Sequence, residues 1–373
     1  MVKIKIIPAQ VQELPKGAFE DTINAPEFVG VVPYLTGKAD CGIRSGSQLT
    51  VMKAEHTSSP ASFASASSSF TIVPPLGSAT STSMTERTFA SDDRRYFPEN
   101  ATYGVADLQP LKVLGAGCFG TVYMAKDRLT GKDLAVKVTE ELCLDEQRAL
   151  RRVEGCKAFL QLHASWRDES HCFLATDYCA NGDLRSEVDR QGKLSEAYAK
   201  VLIAELLLAL DELHGLGMVH RDVKPENILF DSEGHIVLAD FGLVRDLKDS
   251  EVASPPDPNN DIPAGCTRSD CGTLDYMAPE MINKEPYSYG VDFWAMGVLL
   301  YFLLTGRLPF GNGLSDYPPI VMAAMILVKD PTFEDSDLVS PVARDFIQSV
   351  LQKDRSSRLS VDEMKAHAFF ADV

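Results

Sequence analysis

The chain has 373 residues with a hydrophobic fraction of 45%, and 53 acidic residues against 36 basic ones give a net charge of −17. This length can hold one domain plus an extension. The acidic excess disfavours nucleic acid as a partner and favours basic protein surfaces, although it also serves solubility.

No membrane span is predicted, because no apolar run reaches 18 residues and the run 293–305 is short enough for a buried helix. Residues 1–8 lack the apolar core and cleavage site of a secretion signal. The cysteines show neither metal-ligand spacing nor compact disulfide spacing. They are Cys41, Cys118, Cys143, Cys156, Cys172, Cys179, Cys266 and Cys271.

Residues 1–105 differ in composition from the rest and form a predicted N-terminal extension. The segment 57–83 is rich in Ser, Ala and Thr and is predicted to be disordered, because it has too little apolar surface to offset chain entropy. Residues 1–56 are predicted to be a poorly ordered tail, with a docking element for a partner as the alternative. The folded domain is therefore expected over residues 106–373.

A glycine-rich segment opens this domain, Leu114-Gly115-Ala116-Gly117-Cys118-Phe119-Gly120-Thr121-Val122. The flanking runs 111–114 and 121–125 are predicted strands, so the segment forms a hairpin. Glycines let the backbone approach a phosphate closely, but an ordinary hairpin would look similar. The strand-to-helix turn of a dinucleotide-binding unit and a Gly-Lys-Ser/Thr phosphate loop are both disfavoured.

One lysine, Lys137, lies in the apolar predicted strand 134–138. It either pairs with a carboxylate on the following helix or occupies an edge strand and faces solvent. The helix offers Glu146 as the partner, with Glu140 and Glu141 as competitors. A solvated acidic start of the helix would give the same pattern.

Two longer predicted segments come next in the chain. Residues 173–184 are predicted as a buried strand, a connector and the start of a helix. Residues 195–213 are strongly apolar, with leucines at helical spacing, and are predicted to be a core helix.

The most informative segment is His220-Arg221-Asp222-Val223-Lys224-Pro225-Glu226-Asn227, which is followed by Asp240-Phe241-Gly242. Phosphoryl transfer requires such a set. One carboxylate accepts the proton of the attacking hydroxyl, a second carboxylate and an amide hold magnesium, and a lysine offsets charge on the moving phosphoryl group.

Three further segments follow. The Pro- and Asn-rich stretch 254–263 is predicted to be a loop. It is succeeded by Cys271-Gly272-Thr273-Leu274-Asp275-Tyr276-Met277-Ala278-Pro279-Glu280 and by an apolar helix that begins near Asp292 and continues to Leu304. Arg358 lies in a polar segment near the end of the chain.

In this order the segments resemble the eukaryotic protein-kinase family over residues 107–373. Lys224 and the pair Gly272-Thr273 are similar to the serine/threonine branch. The segments 145–150, 224–227 and 271–280 are most similar to the AGC group without its C-terminal tail, and then to calcium/calmodulin-dependent kinases. In such a kinase the cysteines are expected to be reduced thiols in an intracellular setting, cytoplasmic or nuclear. The resemblance implies an α+β, bilobal fold. A small lobe over 107–176 would carry an antiparallel sheet and one helix, and a larger, mainly helical lobe would follow over 180–373.

The resemblance also implies catalytic roles. Asp222 would orient the substrate hydroxyl and accept its proton, and Lys224 would stabilise the transferring phosphoryl group. Lys137, held by Glu146, would position the α- and β-phosphates. The implied ligands of Mg²⁺ are Asn227 and Asp240, and Glu280 would pair with Arg358.

ATP would bind between the lobes. Thr176 would be the gatekeeper residue, backbone groups of Asp177 and Cys179 would bind adenine, and Asp183 would reach the ribose or a substrate residue. The other residues that would contact the nucleotide are Gly115, Gly117, Cys118, Gly120, Val122, Ala135 and Leu229.

The expected partners are protein substrates with basic residues near the target Ser or Thr. In the AGC group acids select such residues, and Glu226 and Asp183 match two of them, whereas Phe302 at a third position is not expected to pair with a cation. A monomer is expected, and Arg221 would bind a phosphate on Ser269 or, alternatively, Thr267. A pseudokinase-like scaffold is the rival hypothesis, but it requires a missing catalytic residue and none is missing.

Overall fold

The computed structural model describes residues 103–117, 120–140, 143–168, 170–248, 262–263, 265–269, 271–311 and 317–373. The predictions for residues 1–56 and 57–83, for Cys118 and Glu141, and for most of the loop 254–263 lie outside the described residues.

The first part of the described chain is built on a five-stranded sheet with strand order β1-β2-β3-β5-β4, in which all neighbours are antiparallel. The strands are β1 (Leu108–Gly117), β2 (Gly120–Asp127), β3 (Asp133–Thr139), β4 (Leu162–Arg167) and β5 (Cys172–Asp177). Helix α1 (Leu144–Arg152) packs against them through buried Ala149 and Leu150. One face of the sheet carries its own apolar core, in which Trp166 stacks on Phe173 with ring centroids 5.0 Å apart.

The second part is mainly helical. Its helices are α2 (Leu184–Gln191), α3 (Glu196–Gly215), α4 (Pro279–Ile282), α5 (Gly290–Thr305), α6 (Pro319–Val328), α7 (Pro341–Val350) and α8 (Val361–Lys365). Two small sheets pair β6 (Met218–Val219) with β9 (Arg245–Asp246) and β7 (Ile228–Phe230) with β8 (Ile236–Leu238).

The predicted apolar helices form the core of this part. Helix α3 begins where the Ser195 side chain accepts a hydrogen bond from the Tyr198 N–H, and its apolar face is buried. Helix α5 begins at Gly290, two residues before the predicted start, and every residue from Val291 to Leu304 is buried. No helix in the described part of the chain is long and apolar enough to cross a membrane.

The predicted fold class, α+β with a sheet-based small lobe and a helical large lobe, is confirmed. The glycine-rich segment joins two paired strands, as predicted, with Gly117 opposite Gly120 in the register. The predicted helix around Glu146 is also present.

Candidate active site

The loop that carries Asp222 is held in place by a buried carboxylate from helix α5. Asp292 accepts hydrogen bonds from the N–H groups of His220 and Arg221, both at 2.8 Å, and from the His214 ring at 2.8 Å. Burial acts to raise the pKa of Asp292, but the hydrogen bond and charge of His214 hold that pKa below its ordinary value. Arg221 adopts φ 70°, a conformation that costs energy outside glycine, so these hydrogen bonds stabilise a strained backbone.

Four donors orient the carboxylate of Asp222. Its Oδ1 accepts from the Thr273 N–H at 3.0 Å and the Thr273 hydroxyl at 2.7 Å. Its Oδ2 accepts from Lys224 Nζ at 2.6 Å and Asn227 Nδ2 at 3.0 Å. Lys224 Nζ also donates to the Thr273 hydroxyl at 3.0 Å. The structure thus brings three predicted site residues together and adds Thr273 from a distant segment.

Asp240 lies at the start of a short 3₁₀ turn with φ 57°. The next residue, Phe241, is buried and packs edge-on against Phe159 and His220, with ring centroids 6.0 Å and 5.6 Å apart. This apolar anchor directs the Asp240 carboxylate towards the sheet, where its Oδ1 lies 3.2 Å from Lys137 Nζ.

Lys137 forms a second, closer ion pair with helix α1. Its Nζ lies 2.8 Å from both carboxylate oxygens of Glu146. Burial acts to lower the pKa of Lys137, but the carboxylates of Glu146 and Asp240 outweigh it and raise that pKa above its ordinary value. Lys137 is therefore a fixed cation at neutral pH. The competitor Glu140 is exposed, and Glu141 lies outside the described residues.

Gly242 allows these charges to approach one another. A Cβ at this position would lie 3.2 Å from Lys137 Nζ and 3.2 Å from Asp240 Oδ1, which is tighter than nine in ten real Cβ contacts. Glycine at this position therefore lets the lysine and the carboxylate lie close together.

One face of the sheet, which carries both apolar and polar side chains, adjoins this cluster. The strand register places Val122 opposite Lys137, and Ala135 opposite Thr176. Residues two apart point the same way, so all four share the face opposite the apolar core. Thr176 donates its hydroxyl to the Ala135 carbonyl at 3.3 Å. This face has the apolar character that an adenine ring would require.

The glycines lie at the edge of the same face. A Cβ at Gly115 or Gly117 would meet nothing within 4 Å, whereas Gly120 adopts φ 106° and a Cβ there would lie 2.1 Å from the Val138 carbonyl oxygen. The backbone of the protein therefore requires glycine at position 120 only. At Gly115 and Gly117 the absence of a side chain leaves open space above this face of the sheet.

Four more predicted residues lie at or beside the connector that follows β5. Asp177 and Cys179 are partly buried, and the Asp177 side chain is engaged by His163 at 2.6 Å and Lys132 at 2.8 Å. Leu229 on β7 is brought to the connector by its pairing with Asp183. The carboxylate of Asp183 caps helix α2 by accepting from the Ser186 N–H at 2.7 Å, a role that the sequence prediction did not include.

The metal prediction rests on Asn227 and Asp240. Asn227 Nδ2 donates to the Asp222 carbonyl at 2.8 Å as well as to its carboxylate, which leaves the amide oxygen as the atom to face a cation. One amide and one carboxylate suit Mg²⁺, which keeps several waters and uses substrate phosphates as further ligands. No group of three or more His, Cys, Asp and Glu that could hold a metal occurs among the described residues.

The segment 271–280 reaches the site through Thr273, which contacts Asp222 and Lys224. Arg358 Nη1 and Nη2 lie 2.8 Å and 3.1 Å from the carboxylate oxygens of Glu280, in a buried ion pair. Ser269 is exposed, whereas Thr267 is buried and pairs with Tyr287. The Arg221 guanidinium has its Nε bonded to the Leu243 carbonyl at 2.6 Å.

The chain matches a known protein family and several known proteins. Residues 108–370 match the family model described as protein kinase domain. The chain is similar to ribosomal protein S6 kinase alpha-3 of Homo sapiens, with 34% identity over 281 residues, 70% of this chain and 35% of that protein. It is also similar to serine/threonine-protein kinase SCH9 of Candida albicans, with 33% identity over 291 residues, 73% of this chain and 34% of that protein.

A third relative is serine/threonine-protein kinase Sgk1 of Danio rerio, with 34% identity over 290 residues, 74% of this chain and 62% of that protein. The chain thus spans about a third of the length of the first two relatives.

Proposed function

The chain belongs to the protein kinase family, and on that premise we propose that it transfers the γ-phosphoryl group of Mg-ATP to Ser and Thr hydroxyls of proteins. The observation that carries the proposal is a pair of charged clusters at the site, one around Lys137 and one around Asp222. Lys137 contacts Glu146 and Asp240, and Asp222 is oriented by Lys224, Asn227 and Thr273.

Mg-ATP, when bound, supplies the phosphoryl group and a cation that offsets its charge. The chain's own residues position the reactants. Lys137 is held as a cation by two carboxylates and can hold phosphate oxygens, and Asn227 and Asp240 offer the oxygens that suit the metal. Preorganised charge of this kind needs no rearrangement when the transferred group moves.

Asp222 is the group that accepts the proton of the substrate hydroxyl. Its four donors fill the lone-pair directions of the carboxylate, so an incoming hydroxyl must replace one of them. The Thr273 hydroxyl can turn away by rotation about χ1, whereas its N–H cannot. Lys224 then lies 2.6 Å from the reacting carboxylate and can stabilise the phosphoryl group. The alternative of a pseudokinase-like scaffold finds no support in this set of residues.

A preference for basic residues near the target hydroxyl forms part of the proposal. Glu226 lies beside the catalytic loop, its side chain is 46% exposed, and a carboxylate there can accept charge-assisted hydrogen bonds from a substrate arginine. Asp183 is partly exposed but caps α2, so it offers less to a substrate than the sequence alone suggests. We therefore propose a relaxed basic preference.

A peptide library scored position by position tests the proposed function. We expect phosphate on serine and threonine and a modest preference for arginine or lysine upstream of the target. A preference for acidic residues or for proline next to the hydroxyl would contradict the substrate class. Phosphate confined to tyrosine would contradict the serine/threonine assignment.

Phosphate on Ser269 is expected to raise activity. The Arg221 Nη1 is buried, and no hydrogen-bond partner for it lies among the residues described. Ser269 is exposed, and its carbonyl accepts a hydrogen bond from the Tyr287 hydroxyl at 2.8 Å. A phosphate on Ser269 could pair with the Arg221 guanidinium and thereby order the chain around Ser269. Phosphatase treatment should lower kcat by about tenfold, the equivalent of one charge-assisted hydrogen bond.

Two variants serve as controls for that experiment. Ser269→Ala should start low and lose nothing more on phosphatase treatment. Thr267→Ala should still respond to phosphatase, since it removes only a buried hydroxyl that lies 3.2 Å from the Ser269 hydroxyl. Equal rates before and after treatment of phosphorylated wild-type protein would refute the prediction.

Glu146→Gln is expected to lower kcat/KM by about 10- to 100-fold, because Lys137 loses its closest carboxylate and its position relaxes. Glu140→Gln is the matched control and should have little effect, since Glu140 is exposed. Steady-state kinetics with one serine peptide compare the two. A larger loss in Glu140→Gln than in Glu146→Gln would show that the partner is misassigned.

A further inference from the structure

Arg185 lies where the proposed function would place an arginine of the substrate. It is the second residue of helix α2, and its Nη1 lies 3.9 Å from Glu226 Oε1. Its guanidinium carbon lies 5.4 Å from the ring centroid of Phe302, within the range of a cation–π interaction. The prediction that Phe302 cannot pair with a cation is therefore wrong, because an aromatic face attracts a guanidinium as a carboxylate does, though less strongly.

A cation in the first turn of a helix is disfavoured by the helix dipole. Arg185 is retained there by carboxylates, since its Nε donates to both oxygens of Asp189 at 3.0 Å and 3.2 Å. Burial acts to lower the pKa of Arg185, but the hydrogen bond and charge of Asp189 and the charge of Glu226 raise it above its ordinary value. The Asp189 contact also fixes the direction of the side chain towards Glu226 and Phe302.

All three positions that would recognise basic substrate residues are thus engaged within the chain. Asp183 caps helix α2, Glu226 faces Arg185, and Phe302 is covered by the same guanidinium. A substrate arginine would have to displace Arg185 or share Glu226 with it. Two cations beside one exposed carboxylate repel each other, so the second gains little.

We propose that Arg185 is a specificity-determining residue that occupies the site for an arginine two positions upstream of the target hydroxyl and thereby weakens the selection of arginine there. The inference rests on the proposed function and names the residue that relaxes its basic preference. Under the resemblance, the loss of an acid at the position of Phe302 weakens the selection of arginine two positions upstream of the target, and Arg185 contacts both Phe302 and Glu226.

The test compares one serine peptide in two versions, with arginine or norleucine two positions upstream. Arg185→Met keeps an unbranched apolar side chain and removes the charge. We expect the ratio of kcat/KM for the arginine peptide to that for the norleucine peptide to rise by about fivefold, the size of one exposed ion pair. In the double variant Arg185→Met/Glu226→Gln this ratio should not rise, because residue 226 no longer carries a carboxylate that could bind the substrate arginine.

Two further variants control the charge and the helix. Arg185→Lys keeps the cation and should leave the ratio near the wild-type value. Arg190→Met removes an arginine at the other end of α2, where it pairs with Glu187 at 2.7 Å, and should also leave the ratio unchanged. Thermal unfolding of each variant checks that the helix is intact.

The outcomes separate the inference from the proposed function. An unchanged ratio in Arg185→Met, an equal rise in Arg190→Met, or a rise that persists with Glu226→Gln would overturn the role of Arg185 while transfer itself stands. Absence of transfer to both peptides by the wild-type protein would overturn the proposed function, and this inference with it.

Discussion

Replacing Asp222 by alanine is expected to lower kcat by about 10³-fold while ATP affinity stays close to that of the wild type. The carboxylate contacts Lys224, Asn227 and Thr273, all of them residues of the transfer site. Its loss therefore removes the proton acceptor but leaves the proposed nucleotide-binding face intact. Single-turnover kinetics and equilibrium binding of ATP measure the two quantities separately.

The Asp222 experiment needs a control for loss of activity through misfolding of the chain. Asp211→Ala removes an aspartate from helix α3 whose partner is Lys365 at the surface, and it should leave both quantities unchanged. Asp222→Asn keeps the size of the side chain and should lose transfer as fully as alanine does. Transfer by Asp222→Ala at the wild-type rate would mean that another group accepts the proton.

Replacing Asp240 by alanine is expected to lower kcat by a similar factor of about 10³, but with a different effect on binding. Asp240 is a proposed metal ligand, and it also contacts Lys137 at 3.2 Å. Burial acts to raise its pKa, but Lys137 holds that pKa below its ordinary value, so the carboxylate is charged at neutral pH. The variant should therefore lose the part of nucleotide affinity that depends on Mg²⁺.

Titration of ATP binding with and without Mg²⁺ distinguishes the two aspartates. Wild-type protein and Asp222→Ala should bind ATP more tightly when Mg²⁺ is present, and Asp240→Ala should show little difference. The same dependence on Mg²⁺ in Asp240→Ala as in the wild type would remove Asp240 from the proposed metal site.

The local motifs could be predicted from the sequence because their residues are close together in the chain. Asp222, Lys224 and Asn227 lie within six positions, and the structure shows them in contact. The partner of Lys137 was harder to predict, since several acids precede α1. Burial and distance favour Glu146, and neither quantity can be read from spacing.

The contacts that the sequence did not reveal join distant elements. Asp292 lies some seventy positions after the loop that it holds, although a single acid in an apolar helix signals a buried partner. Arg185, Glu226 and Phe302 come from three elements, and only their packing brings them together. The cap formed by Asp183 could have been predicted, since an aspartate before a helix is a common N-cap.

The most direct test of the proposed function follows ATP binding and phosphoryl transfer in the same preparation of the wild-type chain. ATP labelled in its γ-phosphate is supplied with Mg²⁺ and a pool of serine and threonine peptides, and the labelled residues are identified by acid hydrolysis. The two charged clusters, one around Lys137 and one around Asp222, predict multiple-turnover label on serine and threonine, which chelation of Mg²⁺ abolishes. Stoichiometric binding of ATP with no label on any peptide would contradict it and would instead indicate a binding protein.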